Sequence, residues 1–379
     1  MVKSYGYPVE SFEVQTEDGY ILDLFRIPNG IQKRSKRLGD QFSFSSSSSS
    51  EGKGKRVVFM MHGLMSNSES FIYGGPSQSL AFWLADTGYD VFLGNARGSI
   101  YGQKHTTLDP QKDSAFWRFC WEEIGTKDLP ALIDKALSVS GQTKLSYIGH
   151  NEGTTSFFVL GSERPEYNKK LDRQISLGPL VFMKNSNAEV FKNIQQHLNT
   201  KSWLMKNLGI NAFAPTHELV EEAESKCMSK QSDELICKNI YFLINGYNSK
   251  QFNQTTIKQF ISRVPSTASV KEVMHFVQLR ASGRFQKYSN TTQGNEFDLS
   301  KVVVPVALFY TPDDQLYSSD DVQLLAGKLP NLYKLLNFEK LNNNLDFLYS
   351  ENLNNVHEQV WKALKEDTEK QNEVELGLE

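Results

Sequence analysis

Cysteine is scarce in this chain: Cys120, Cys227 and Cys237 are the only three among 379 residues. So few exclude a disulfide-stapled miniprotein. No Cys/His set has the spacing of a zinc site, so neither a metal nor another cofactor is expected. An excess of one charge is lacking as well. Lys and Arg number 41 against 44 Asp and Glu, for a net charge of -3. Both signs mix along the chain without a single basic face, so nucleic acid is not expected as a partner. No apolar run of about 18 residues is present, so no transmembrane segment is expected. The opening, MVKSYGYPVESF, has no apolar stretch of the kind a secretory signal peptide carries. Two alternatives follow: a cytosolic chain, or a true N-terminus that lies further upstream.

What is present is length and alternation. A chain of 379 residues can fill one large α/β domain with an insertion, or two smaller domains. RVVFMMHG (56–63), YDVFLGN (89–95) and KLSYIGH (144–150) are short apolar runs ending in small residues, the pattern of buried parallel strands followed by loops. DLPALIDKALSVSG (128–141) has a proline in its first turn and a glycine just past its end, as a helix does. VVVPVALFY (302–310) reads as a late buried strand and VHEQVWKALK (356–365) as a last packing helix. The expected fold class is therefore α/β, a mostly parallel sheet flanked by helices.

Two regions interrupt the alternation. Residues 31–55 join a basic cluster to a serine run and are expected to form a solvated, disordered loop. Residues 184–300 are helix-rich and amphipathic and are expected to form a helical cap. The expected division is thus 1–183 and 301–366 for the sheet domain, 184–300 for the cap and 367–379 for a charged tail. Cys227 and Cys237 fall in CMSKQSDELIC; from spacing alone they either close a small loop or stay as two free thiols. Cys120, between aromatics in FWRFCWEE, is expected to be a buried, unreactive thiol.

Gly149-His150-Asn151-Glu152-Gly153 has the spacing of the Gly-x-Ser-x-Gly elbow of α/β-hydrolases, between an apolar strand and a helix pattern (TTSFFVLGS). Asparagine stands at the nucleophile position. It is one of the few residues that tolerate positive φ, so it can hold the turn without supplying an oxygen nucleophile.

From about Gly6 to about Leu364 the chain resembles the acid lipase family, which includes gastric and lysosomal acid lipases and many insect lipases. The likeness rests on GYPVESFEVQTEDGYILDLFRIPNG, HGLMSN, SLAFWLADTGYDVFLGNARG and KDLPALIDKALSVSGQTKLSYIGHNEGTTS. It implies an α/β-hydrolase fold with an inserted helical lid and, for the family, hydrolysis of neutral-lipid carboxylic esters. Carried over by position, the nucleophilic serine falls on Asn151. The oxyanion-hole donors fall on the backbone N–H groups of Leu64 and Glu152, and the acid on Asp314 rather than its neighbour Asp313. The histidine falls on Asn344, in Asn344-Leu345-Asp346-Phe347. The Cys227 and Cys237 pair coincides with a family disulfide.

Asparagine neither titrates near neutral pH nor attacks a carbonyl, so a triad with Asn151 and Asn344 is expected to be inactive. His357, on the last helix, is not expected to rescue it; His150 is expected to pack beneath the elbow, with Thr154 and Thr155 pointing away. The alternative is an active carboxylic ester hydrolase working through a non-standard site. Expected partners are neutral lipid or another apolar ester, with a lipid-droplet or membrane surface touched transiently. The family is secreted or lysosomal and glycosylated; Asn253 and Asn290 begin acceptor sequons here.

Overall fold

The structure is a computed structural model. It describes residues 1–31, 54–229, 234–246, 252, 257, 260–261, 263–290 and 294–366. The expected serine-rich loop, apart from residues 31, 54 and 55, lies outside the described residues, as do the charged tail and Asn253.

A nine-stranded sheet forms the centre: β1 (Glu10–Gln15), β2 (Tyr20–Ile27), β3 (Val57–Met61), β4 (Asp90–Gly94), β5 (Lys104–His105), β6 (Leu145–His150), β7 (Leu171–Leu177), β8 (Val306–Tyr310) and β9 (Leu332–Asn337). The spatial order is β1-β2-β4-β3-β6-β7-β8-β9, with β5 paired to β2. β1 and β2 form an antiparallel hairpin and β2 runs antiparallel to β4. From β4 to β9 every pairing is parallel. All five residues of β3, β4 and β8, and all six of β6, are buried. Strands covered on both faces cannot alternate polar and apolar residues, which is why they read as continuous apolar runs.

Helices α1 (Leu80–Asp86), α2 (Leu129–Ser140) and α3 (Glu152–Glu163) follow β3, β4 and β6 in the chain. Gly141 ends α2 at φ 69°, the left-handed cap expected of it. Between β7 and β8 lies a helical insertion with α4 (Glu189–Gln196), α5 (Lys201–Leu208), α6 (His217–Ser229), α7 (Ile240–Asn245) and α8 (Val270–Ser282). Cys227 on α6 and Cys237 form a disulfide within it, so the bridged alternative holds. Then come α9 (Ser319–Ala326) and, last, α10 (Asn354–Lys365).

Three local differences from expectation have physical reasons. The strand expected from Val302 starts only at Val306, because Pro305 has no N–H to give to a ladder. β7 was hidden by its polar letters, LDRQISL: Arg173 is buried by donating to the carbonyls of Ala363 and Glu366. β9, at the sheet edge, is only half-buried and lacks a continuous apolar run.

The chain leaves β3 to one side for β4 and later to the other side for β6. The crevice beyond the carboxyl ends of strands at such a reversal is where open α/β sheets bind ligands. The loops after β3, β6, β8 and β9 all meet there.

Candidate functional site

The elbow is built by steric exclusion. A Cβ on Gly153 would lie 2.3 Å from the Met61 carbonyl oxygen, and one on Gly149 would lie 2.7 Å from the Gly153 carbonyl oxygen. Only glycine lets β6 turn this sharply into α3 against β3. At the apex Asn151 adopts φ 53° and ψ -117°. A side chain held in such a region costs about 1–3 kcal/mol, which the packing around it must offset.

The Asn151 amide has a defined orientation. Its Oδ1 accepts from the Glu152 N–H at 2.7 Å and from the Leu64 N–H at 3.3 Å. Two donors require an oxygen there. These are the two N–H groups that the resemblance assigns to the oxyanion hole, and both point at residue 151's own side chain. Its Nδ2 donates to Asn344 Oδ1 and to Asn245 Oδ1, each at 3.2 Å.

Asn344 follows β9 and its orientation is equally determined. Its Nδ2 donates to Asp314 Oδ2 at 3.0 Å and to the Asn245 carbonyl at 2.7 Å. Its backbone N–H also donates to Asp314 Oδ2. Asp314, after β8, takes a further bond on Oδ1 from the Leu316 N–H at 2.8 Å. Burial pushes the Asp314 carboxyl up to about 7, against the pull of these N–H donors. Asp313 is exposed. The structure therefore brings Asn151, Asn344 and Asp314 together in one hydrogen-bonded line, with the Leu64 and Glu152 amides at its far end.

Asn245 was not legible in the sequence. It ends α7, and its own Nδ2 donates to the Tyr241 carbonyl at 3.0 Å. Side chain and carbonyl together tie the insertion to both asparagines of the line. Asn151, Asn245 and Asn344 are all at most 1 % exposed. No motif spacing could have found Asn245, because a chain segment far from the elbow carries it there.

The other residues fall as expected or nearly so. His150 lies beneath the elbow with Nε2 2.9 Å from the Asn344 carbonyl, and burial depresses its pKa to about 4. Thr154 Oγ1 donates to the Asn151 carbonyl at 2.6 Å and Thr155 donates to the Leu180 carbonyl, so neither faces the two amides. His357 is buried against Trp83 of α1, ring centroids 5.7 Å apart, and burial lowers its pKa to about 3. The Glu152 side chain holds one surprise. It is buried, as is Glu272 of α8, and the two carboxyls interact directly. Burial, then mutual repulsion, pushes Glu152 well above the carboxylate range, and burial takes Glu272 to about 7.

Comparison with known proteins agrees with this architecture. A family model described as a partial alpha/beta-hydrolase lipase region matches residues 1–75, and one described as the alpha/beta hydrolase fold matches residues 56–342. Lipase 1 of Drosophila melanogaster is 35 % identical over 362 residues, covering 92 % of this chain and 75 % of that protein. Gastric triacylglycerol lipase of Homo sapiens is 33 % identical over 363 residues, covering 92 % and 86 %. Among solved structures, an esterase from Exiguobacterium antarcticum superposes with a TM-score of 0.54 over 94 % of this chain and 100 % of that one, at 13 % identity. That likeness speaks for the fold alone. With a fold model spanning most of its length and lipases one-third identical across nine-tenths of it, the chain belongs to the acid lipase family of α/β-hydrolases.

Proposed function

We propose that this chain is a non-catalytic member of the family that binds, carries or stores neutral lipid. The observation that carries the reading is the Asn151 amide, whose oxygen sits between the Leu64 and Glu152 N–H groups. A substrate carbonyl would need those two donors as its charge develops. Asn151 has no nucleophilic oxygen, and Asn344 between it and Asp314 has no nitrogen that can take up a proton. Every polar atom of the Asn151 and Asn344 side chains has a partner instead, which makes a stable site out of a former reactive one.

A lipid role is supported by apolar side chains left in solvent on the insertion: Ile210 is 70 % exposed, Met228 48 % and Met205 45 %. Met205 and Met228 on helices, and Ile210 just past α5, suit transient contact with a lipid-droplet or membrane surface. The Cys227–Cys237 bridge suits a secreted or lysosomal setting, where disulfides persist; thiol titration of native protein distinguishes this from cytosolic residence. Asn290 is exposed and, with Asn253, is the proposed glycosylation site.

The test is a fluorogenic ester assay on purified protein. Turnover at background, unchanged by Asp314→Ala, is the expected result. Turnover that Asp314→Ala abolishes would establish the rival reading, an active hydrolase in lipid catabolism that uses a non-standard site.

A further inference from the structure

Away from the elbow, a second cluster joins the sheet domain to the insertion and plays no part in the reading above. Cys120, just ahead of the turn Trp121–Glu123, lies with Sγ 3.2 Å from Nδ1 of His275 on α8. The two are 155 residues apart in sequence, and both side chains are fully buried. His275 Nε2 is 2.8 Å from the Gln286 carbonyl. A carbonyl only accepts, so the ring proton is on Nε2 and the Nδ1 lone pair is aimed at the sulfur. Trp121 stacks on the imidazole at 3.6 Å and 11°, which holds the ring plane.

A third donor completes the group. Glu122 is half-buried, and one of its carboxylate oxygens, Cys120 Sγ and a His275 ring nitrogen lie within 4.8 Å of one another. A histidine whose other nitrogen donates to a backbone carbonyl is oriented as metal-bound histidines are. Zinc holds sulfur at about 2.3 Å and nitrogen at about 2.0–2.1 Å, which at a tetrahedral angle separates the two by about 3.5 Å. The observed 3.2 Å is thus about 0.3 Å short of that, so the sulfur and the ring must part by that much to admit an ion.

The charges also match. Glu123 accepts from the Cys120 N–H at 2.8 Å and from its thiol at 3.3 Å, and pairs with Lys271 at 3.1 Å. A Cys120 thiolate, Glu122 and Glu123 together balance Lys271 and one divalent ion. Sequence spacing gave no hint of this, because the group joins two segments of the chain, with Cys120 and Glu122 on one and His275, 155 residues from Cys120, on the other.

We infer that Cys120, Glu122 and His275 form a zinc site that fastens α8 to the sheet domain, with water as fourth ligand and access past the half-buried Glu122. On loading, the Cys120 S–H bond breaks as the S–Zn bond forms, and the thiol proton leaves to solvent; no electron is transferred. Reduction of the Cys227–Cys237 bridge is not required.

The test is a titration of chelator-treated full-length protein, disulfide intact, with CoCl2 as spectroscopic probe and ZnCl2 as competitor. Expected are one equivalent of bound cobalt, a thiolate-to-cobalt charge-transfer band in the near ultraviolet, and its loss on adding zinc. Cys120→Ser keeps a helix-capping side chain at that turn and is expected to lose the band. Glu122→Gln and His275→Gln are each expected to weaken zinc binding at least tenfold. Wild-type protein that shows no such band at millimolar cobalt overturns the inference, as does a band that persists in Cys120→Ser. The wild-type and Glu122→Gln titrations decide the matter even if the buried substitutions fail to fold.

Discussion

On the proposed non-catalytic reading, serine at 151 and histidine at 344 together should confer ester hydrolysis, whereas either alone should not. In Asn151→Ser the shorter side chain withdraws from between the Leu64 and Glu152 N–H groups, now 3.3 and 2.7 Å from Asn151 Oδ1, and frees them for a substrate carbonyl. Asn344 still faces the new hydroxyl and cannot take its proton. In Asn344→His, Nδ1 sits as many bonds from Cα as the present Nδ2, so the 3.0 Å contact to Asp314 is kept. The ring's Nε2 then reaches across the gap that the 3.2 Å Asn344–Asn151 contact spans today. In another triad hydrolase, loss of serine or histidine lowers kcat by about 2 × 10⁶, or about 9 kcal/mol, and losing both costs no more. Both single variants should therefore stay at background in a p-nitrophenyl ester assay. The double variant should rise by at least about 10³, with the Asn245 side chain beside residue 151 limiting full recovery. Asp314→Ala in the double background should then remove most of the gain. Asn151→Ser alone matching the double variant would refute the role given to Asn344. No gain in a folded double variant would refute the claim that Leu64 and Glu152 still offer a usable oxyanion hole.

Three further outcomes follow from the packing. Glu272→Gln should change the pH dependence of stability. Unfolded Glu272 loses its proton above about 4.5, while the folded group keeps it to about 7, so its contribution falls as pH rises through that window, by about 1.4 kcal/mol per pH unit at most. Glutamine still completes the capping box with Ser269, so Tm of the variant minus that of the wild type should grow more positive from pH 5 to pH 8; a constant difference would refute the shared-proton pair. Replacing Cys227 and Cys237 together by serine opens a loop with a sequence separation of 10. It should cost about 3 kcal/mol in the chain-entropy model, or about 4 °C in Tm for a protein of this size, read by differential scanning calorimetry. Asn245→Ala strips Asn151 Nδ2 of one of its two acceptors and should cost about 1–2 kcal/mol in urea unfolding, with no gain in ester turnover.

How much of this was legible depended on whether a feature is local along the chain. The elbow was legible, because its glycines, its strand-to-helix setting and a residue suited to positive φ all fall within five positions. So were the helices α2, α3 and α10, where caps and apolar periodicity agree. β7 was not, because Arg173 and Gln174 are buried polar residues whose partners lie elsewhere. Asn245, the Glu152–Glu272 pair and the Cys120–His275 contact were invisible for the same reason: each partner arrives on the insertion, and nothing local marks it.

The retained acid shows why a surviving triad member is weak evidence for activity. Asp314 is buried, and burial disfavours its charge; on the proposed reading it carries no catalytic task that would keep it in place. Yet its oxygens accept from the Leu316 N–H, the Asn344 N–H and Asn344 Nδ2. Removing the acceptor would orphan three buried donors, each worth about 1–3 kcal/mol when left unpaired. The backbone N–H of residue 344 holds the loop after β9 to the loop after β8 through Asp314, and that bond does not depend on the side chain at 344. Position 344 is under a weaker constraint, because an amide can replace an imidazole if it donates to Asp314 and accepts from position 151. An amide at 151 in turn fits that acceptor and the two backbone donors at once. The asparagines therefore satisfy each other: with serine at 151, the Asn344 oxygen and the Leu64 and Glu152 N–H groups would all lose a partner. Their joint occurrence is thus matched by hydrogen-bond complementarity at both positions.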